Sequence, residues 1–379
     1  MNNNFNAMFA AFKFLTRIRT SNSFLIIMLS VVSACSNRKE PQSTNDFRFS
    51  KDTIDAFLQT KMEELKIPGL SIAIINDGKV WHHRTMGYAN LEKKIPVTDK
   101  TIFEGASMSK SVFAFFVMTY VEEGKLDLDK PLYEYLPYPD IAHDERYKAI
   151  TARMVLSHRS GFPNWRENEP DKTLKIKFEP GTSYEYSGEG YQYLAMVLRS
   201  IEGTDWYGLE AEFQKRIAKP LGMGHTVFIQ TPYTIANKAE PYDESVNPID
   251  WRNDYWYKKG SKEFGAAYSI HSEPLDFSKW MIAVMNEELL SKRSYDELFK
   301  HHSEIPNAEI KAFYTLGFNT VDKPYHNIFF HSGNNDGFSC WYLLDKEENW
   351  GFVFFTNSEF GGKLGNDLAD FFLAEQPVE

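Results

Sequence analysis

Ser107-Met-Ser-Lys-Ser-Val-Phe-Ala-Phe-Phe-Val-Met-Thr-Tyr-Val121 places a hydroxyl and an amine three residues apart at the head of a strongly apolar helix. Side chains at i and i+3 share a face, so Ser107 and Lys110 can meet. A serine hydroxyl becomes a good nucleophile only when a neighbouring base takes its proton, and a desolvated lysine can serve. Apolar residues on nearly every side from Val112 to Val121 predict a helix buried inside a large domain, closing at Glu122-Glu-Gly124. Ser36-Asn-Arg-Lys39 has the same spacing but sits in a polar stretch with no helix after it. The first N–H groups of the buried helix favour negative charge developing at whatever Ser107 attacks.

The flanks of this stretch read as sheet. A helix over about 51–65 carries Ile54, Phe57, Leu58, Met62 and Leu65 at helical spacing. Gly69–Ile75 and Lys79–Arg84, joined by Asn76-Asp-Gly78, predict a β-hairpin. Strand patterns return at Tyr314–Val321, Ile328–His331, Phe338–Leu344 and Gly351–Thr356, before a last helix near 362–374. Residues 131–260 show no sustained strand pattern. The fold class expected is mixed α and β: an antiparallel sheet built from both ends of the chain, flanked by helices, with a mainly helical lobe inserted. The sheet lobe takes about 51–105 and 262–375, and the helical lobe about 106–261.

Composition narrows the function. A chain of 379 residues with a net charge of −10 and no basic cluster is not a nucleic-acid binder, and small, neutral-to-cationic substrates fit it better. The histidine pairs His82-His83 and His301-His302 would point apart on a strand, and no HExxH or CxxC spacing occurs, so neither a metal nor another cofactor is expected.

The N-terminus has the form of a targeting signal: Lys13, Arg17 and Arg19 without acids, an apolar run beginning Phe24-Leu-Ile-Ile-Met-Leu29, then Val32-Ser-Ala-Cys35. The run is too short to span a bilayer, which takes about 20 helical residues. Val-Ser-Ala-Cys resembles a bacterial lipobox, which implies cleavage after residue 34 and a lipid on Cys35. The expectation is an exported protein anchored to a bacterial membrane, facing the periplasm or the exterior; a soluble secreted form is the alternative. Residues 35–50 read as a polar tether. Cys340 is the only other cysteine, so lipidation of Cys35 leaves no partner for an intrachain disulfide.

Three elements in order, Ser107-x-x-Lys110, Tyr186-Ser-Gly188 and His331-Ser-Gly333, resemble the serine β-lactamase and penicillin-binding protein superfamily, specifically its class C β-lactamase-like branch. Flanking stretches add to the likeness: Ile150–Pro163, Lys219-Pro-Leu-Gly-Met223, Gly265–Ser272 and Thr356-Asn-Ser358. The resemblance covers about 51–375 and implies a β-lactamase/transpeptidase-like fold. It implies that Ser107 attacks an acyl carbonyl, that Lys110 and Tyr186 move protons, and that the N–H groups of Ser107 and Asn334 form the oxyanion hole. His331, Ser332, Gly333 and Gly188 would border the substrate. Which of Lys110 and Tyr186 is the general base stays open. His331 stands where a lysine is usual and offers a positive charge only when protonated. Gly188 replaces an asparagine that binds the acylamino side chain of β-lactams.

These residues support a serine hydrolase acting on small ester or D-peptide-like amide substrates through a Ser107 acyl-enzyme. The alternatives are a true β-lactamase, or a penicillin-binding or sensor protein with little turnover. Oligomeric state is not legible. His158 reads as part of a structural turn, Glu185 and Glu189 as solvated charges, and Trp165, Trp251, Trp256, Trp341, Tyr255, Tyr257 and Tyr268 as packing.

Overall fold

The computed structural model describes residues 47–373 apart from 309 and 323–326. The expected signal sequence, Cys35 and most of the expected tether lie outside the described residues. Helix α1 (Lys51–Leu65) matches the helical spacing of its apolar residues. The Ser50 hydroxyl accepts the Thr53 N–H at its start, and Lys66 in the left-handed region ends it. Strands β1 (Gly69–Asn76) and β2 (Lys79–Asn90) form the expected hairpin. Asp77 and Gly78 both take positive φ there, as a two-residue type I′ turn demands.

The remaining strands are β3 (Ile95–Pro96), β4 (Phe103–Ala106), β5 (Ile270–Ser272), β6 (Ser303–Glu304), β7 (Ala312–Tyr314), β8 (Asn319–Val321), β9 (Ile328–Asn335), β10 (Phe338–Asp345) and β11 (Trp350–Thr356). Nine of them form one sheet in the order β3-β2-β1-β11-β10-β9-β8-β7-β6, and β4 pairs with β5 in a separate ribbon. Every strand pairing is antiparallel. The central pairing of β1 with β11, Leu70 opposite Thr356, joins the two ends of the chain.

One expectation is corrected here. Tyr314–Val321 is not a single strand: the chain reverses through Thr315–Phe318, with Gly317 at φ +91°, so its two ends belong to the neighbouring strands β7 and β8. Apolar runs look alike whether continuous or folded back on themselves.

Both faces of the sheet are covered. Leu70, Ile72 and Ile74 of β1 pack with Ile54 and Leu58 of α1 and with Leu364, Leu368 and Phe372 of the C-terminal helix (Gly361–Leu373). Ala73 and Ile75 face the other side and the larger core, which includes helix α2 (Ser109–Glu122). Residues 112–118 and Tyr120 of α2 are all buried. The helix closes as expected, with Gly124 in the left-handed region after its last turn. The sheet and α2 thus form a rigid support for Ser107.

Candidate active site

Ser107 sits in the turn between β4 and α2. Ala106 holds a positive φ of 43°, an unfavourable conformation for a residue with a Cβ and one that concentrates at functional positions. Two contacts hold this turn. The Ser109 hydroxyl donates to the Ala106 carbonyl at 2.5 Å and accepts the Ile270 N–H at 3.0 Å, fixing the head of α2 to β5. On the other side β9 presses against β4, because a Cβ on Gly333 would overlap the Gly105 carbonyl and Cys340 Sγ. Cys340 Sγ also donates to the Gly105 carbonyl at 3.2 Å.

Lys110 Nζ lies 3.2 Å from Ser107 Oγ and donates to the Ala267 carbonyl at 2.9 Å. It is buried at 1% exposure, and burial alone draws its ammonium well below the ordinary lysine range. Tyr186 completes the cluster, its ring centroid 4.6 Å from Lys110 Nζ. Burial pushes the Tyr186 phenol up, and its hydrogen bond with Ser107 acts in the opposite direction. The three residues picked out by motif therefore converge, and their environments differ: an amine pushed toward neutrality beside a phenol pushed toward retaining its proton.

Behind Tyr186 lies a stack of buried rings. His158 is fully buried with φ +59°, its ring centroid 4.3 Å from that of Tyr186 and 4.4 Å from that of Tyr314. Its Nδ1 accepts the Ser187 N–H at 3.1 Å, so the turn it forms also seats the Tyr186 segment. His331 on β9 is buried too. Its Nδ1 donates to the Ser332 carbonyl at 2.7 Å, and its Nε2 accepts from the Tyr314 hydroxyl at 3.1 Å. Burial, then the nearby Lys110, push its pKa down to about 3. His331 is therefore neutral at physiological pH and supplies no positive charge. Asn334 pairs opposite Ser339 on β10 and donates through Nδ2 to Ser339 Oγ and Glu359 Oε2, both at 3.1 Å.

The family model for Beta-lactamase matches residues 54–373. The chain belongs to that family. It is 27% identical over 353 residues to Protein flp of Staphylococcus aureus, a match covering 86% of this chain and 66% of that protein. The chain thus spans slightly under two thirds of that relative. It is 25% identical over 318 residues to the putative penicillin-binding protein PbpX of Bacillus subtilis, covering 80% and 74% of the two. Among solved structures, an octameric penicillin-binding protein homologue from Pyrococcus abyssi superposes with a TM-score of 0.71 at 23% identity, over 86% of this chain and 77% of that one. The D-alanine carboxypeptidase AmpC from Burkholderia cenocepacia gives 0.70 at 18% identity, over 85% and 98%. These two likenesses bear on the fold.

Where this beta-lactamase family member departs from the pattern, the structure supplies a reason. A Cβ on Gly188 would lie 2.5 Å from the Trp165 indole, so a tryptophan occupies the space an asparagine side chain would need. Trp165 is seated from both sides. The N–H groups of Gly188 and Glu189 donate to the Asn164 carbonyl at 3.0 and 3.1 Å, and Arg166 makes a two-pronged bond to Glu189, 2.8 Å on each arm. Glu189 is thus a buried anchor rather than a solvated charge, and Trp165 is part of the site rather than general packing. Glu185 pairs with Lys177 at the surface, as expected.

Gly188→Asn should therefore overpack this corner, lowering stability by about 1–3 kcal/mol. Adding Trp165→Ala should recover most of that loss in thermal denaturation. Equal melting temperatures for wild type and Gly188→Asn would contradict the packing described.

One group of side chains has metal-ligand character. His225, Glu273 and Asp276 bring ligand atoms within 4.8 Å of one another. Their oxygens already have work: Glu273 accepts the Leu275 and Asp276 N–H groups at the start of helix Pro274–Met285, and Asp276 accepts the His225 N–H and binds Lys279. This is helix capping.

Proposed function

We propose that this serine hydrolase cleaves small esters or D-peptide-like amides through an acyl-enzyme on Ser107, with β-lactams as poorer substrates. The contact that carries the reading is the 3.2 Å approach of Lys110 Nζ to Ser107 Oγ, made by an amine that is buried and depressed in pKa. In the first step the Ser107 proton passes to the neutral Lys110 amine while Oγ bonds to the carbonyl carbon. The resulting alkoxide rests against the N–H groups of Ser107 and Asn334, each worth about 3 kcal/mol in the transition state. As the bond to the leaving group breaks, the Tyr186 phenol gives that group a proton and recovers one from the Lys110 ammonium. Water then attacks the acyl carbon as its proton passes to the neutral Lys110 amine; the bond from the acyl carbon to Ser107 Oγ breaks, Oγ takes that proton back, and the carboxylic acid departs. The elevated phenol and depressed amine favour Lys110 as the base and Tyr186 as the relay.

Trp165 supports the substrate ranking. With the asparagine space filled, the acylamino side chain of a penicillin loses a customary hydrogen-bond partner. The carboxypeptidase named above shares the fold, which keeps D-peptides in the range of substrates.

The test is turnover of short-chain 4-nitrophenyl esters, D-alanyl peptides and a penicillin by wild type and Ser107→Ala. The expected result is ester or D-peptide hydrolysis faster than penicillin hydrolysis, falling by at least about 10³-fold in the variant. A stable penicillin adduct on the Ser107 peptide without turnover would favour the penicillin-binding alternative. No turnover and no adduct with any of the three would overturn the mechanism.

A further inference from the structure

A cavity of about 180 Å³ is bordered by Glu104, three residues before Ser107, by Asn334 and by Tyr268, the residue after the carbonyl that holds Lys110. Trp165, already in place of the missing asparagine, forms another wall, edge-to-face with Tyr268 at 5.6 Å between centroids. We infer that this cavity is a subsite for a cationic group on the substrate, an ammonium held between Asp254 and Asp336. The inference deepens the acyl-enzyme reading, since it concerns the substrate of the same site.

The charge around the cavity decides the class of ligand. Glu104 is matched by Lys238, whose buried amine meets it beneath the cavity. Asp254 and Asp336 add two further carboxylates to the border. Partial desolvation, then repulsion by Asp254 and Glu104, raises the Asp336 carboxyl above its usual range. An incoming cation would relieve that repulsion, whereas an anion would add to it. Two aromatic walls further favour a cation over a neutral group.

Independent of charge, the cavity borders on polar atoms that make no hydrogen bond, although His271 Nε2 lies 3.9 Å from Glu104 Oε1. His271 is 3% exposed; its Nδ1 donates to the Ser269 carbonyl at 2.7 Å, so its Nε2 carries a lone pair, and that atom is buried without a hydrogen bond. Both atoms of the Gln230 amide, its oxygen and its nitrogen, are also buried without a hydrogen bond. Buried acceptors left unpaired are rare in folded proteins and are normally answered by a ligand or water. An ammonium with three N–H donors suits an arrangement of two carboxylates and two neutral acceptors. A purely apolar group would leave all of them unanswered.

The test uses two probes of one shape, benzylammonium and benzyl alcohol, titrated calorimetrically into the full chain. Benzylammonium is expected to bind at least about tenfold more tightly, and Asp336→Asn, in an exposed turn, should narrow the difference to about threefold. Adding Asp254→Asn, which keeps an acceptor for the Tyr257 N–H, should bring the probes within about twofold. Equal binding in wild type, tighter binding of the alcohol, or no binding of the cation would overturn the subsite, as would a cation preference unchanged in both variants. Because binding is read without turnover, failure of the hydrolysis assays would remove the acyl-enzyme reading and leave this result standing.

Discussion

Lys110→Met is expected to lower kcat/KM by at least about 10³-fold while raising the melting temperature by a few degrees. The two effects share one cause. Lys110 is buried with a carbonyl and a hydroxyl as its hydrogen-bond partners, and burial holds its pKa far below the unfolded value. As pH falls below the unfolded lysine value of about 10.4, the unfolded chain takes up a proton that the folded chain resists. Stability therefore declines until the folded pKa is reached, and at neutral pH the residue is a net cost to the fold. Methionine fills a similar volume without that cost. The Ala267 carbonyl loses its donor, which returns about 1 kcal/mol of the gain. Hydrolysis by wild type should show an acid limb as Lys110 becomes protonated, well below the ordinary lysine range. Thermal denaturation with ester kinetics checks both halves. A variant that is inactive and also less stable would mean that Lys110 serves the fold as a paired charge rather than standing poised as a base.

What the sequence made legible was local. The bounds of α1, the β1–β2 hairpin and the closure of α2 at Gly124 rest on periodicity and turn residues within a few positions. Ser107, Lys110 and Tyr186 were readable because each lies in a short motif of fixed spacing. What escaped depends on contacts between distant segments. Nothing near Gly188 announces that Trp165, 23 positions earlier, will fill its space, and the Arg166–Glu189 pair that holds the tryptophan spans the same gap. The neutrality of His331 follows from burial beside Lys110, which no strand pattern reveals. The cavity has walls drawn from residues 104, 165, 230, 249, 251, 254, 257, 260, 268, 269, 271 and 334–336, so its aromatic residues looked like ordinary packing when taken singly.

Lys238→Met should be the most destabilising of the changes considered, by about 3–5 kcal/mol at neutral pH, the cost of leaving one partner of a buried ion pair alone. The Lys238 side chain is fully buried and meets Glu104 Oε1, while Asn335 Nδ2 donates to Glu104 Oε2. Its ammonium also faces the rings of Trp251 and Tyr257, 4.2 and 4.6 Å from their centroids. One cation thus ties the segment carrying Trp251 and Tyr257 to β4, three residues before Ser107. Burial pushes the Glu104 carboxyl up, but the charge and hydrogen bond of Lys238, with the Asn335 amide, outweigh it and hold the group below its ordinary range. A carboxyl lowered in the folded state contributes stability above its unfolded value of about 4.3, and loses it as pH falls through the folded value. Without Lys238 the sign reverses, since burial then dominates and Glu104 favours its protonated form. The stability gap between wild type and Lys238→Met should therefore narrow from pH 7 toward pH 4, and Glu104→Gln in the same chain should recover at least about half of the loss. Urea unfolding at the two pH values measures both quantities. A gap that stays constant with pH, or no recovery in the double variant, would show that Lys238 stabilises the chain through its aromatic contacts and not through Glu104.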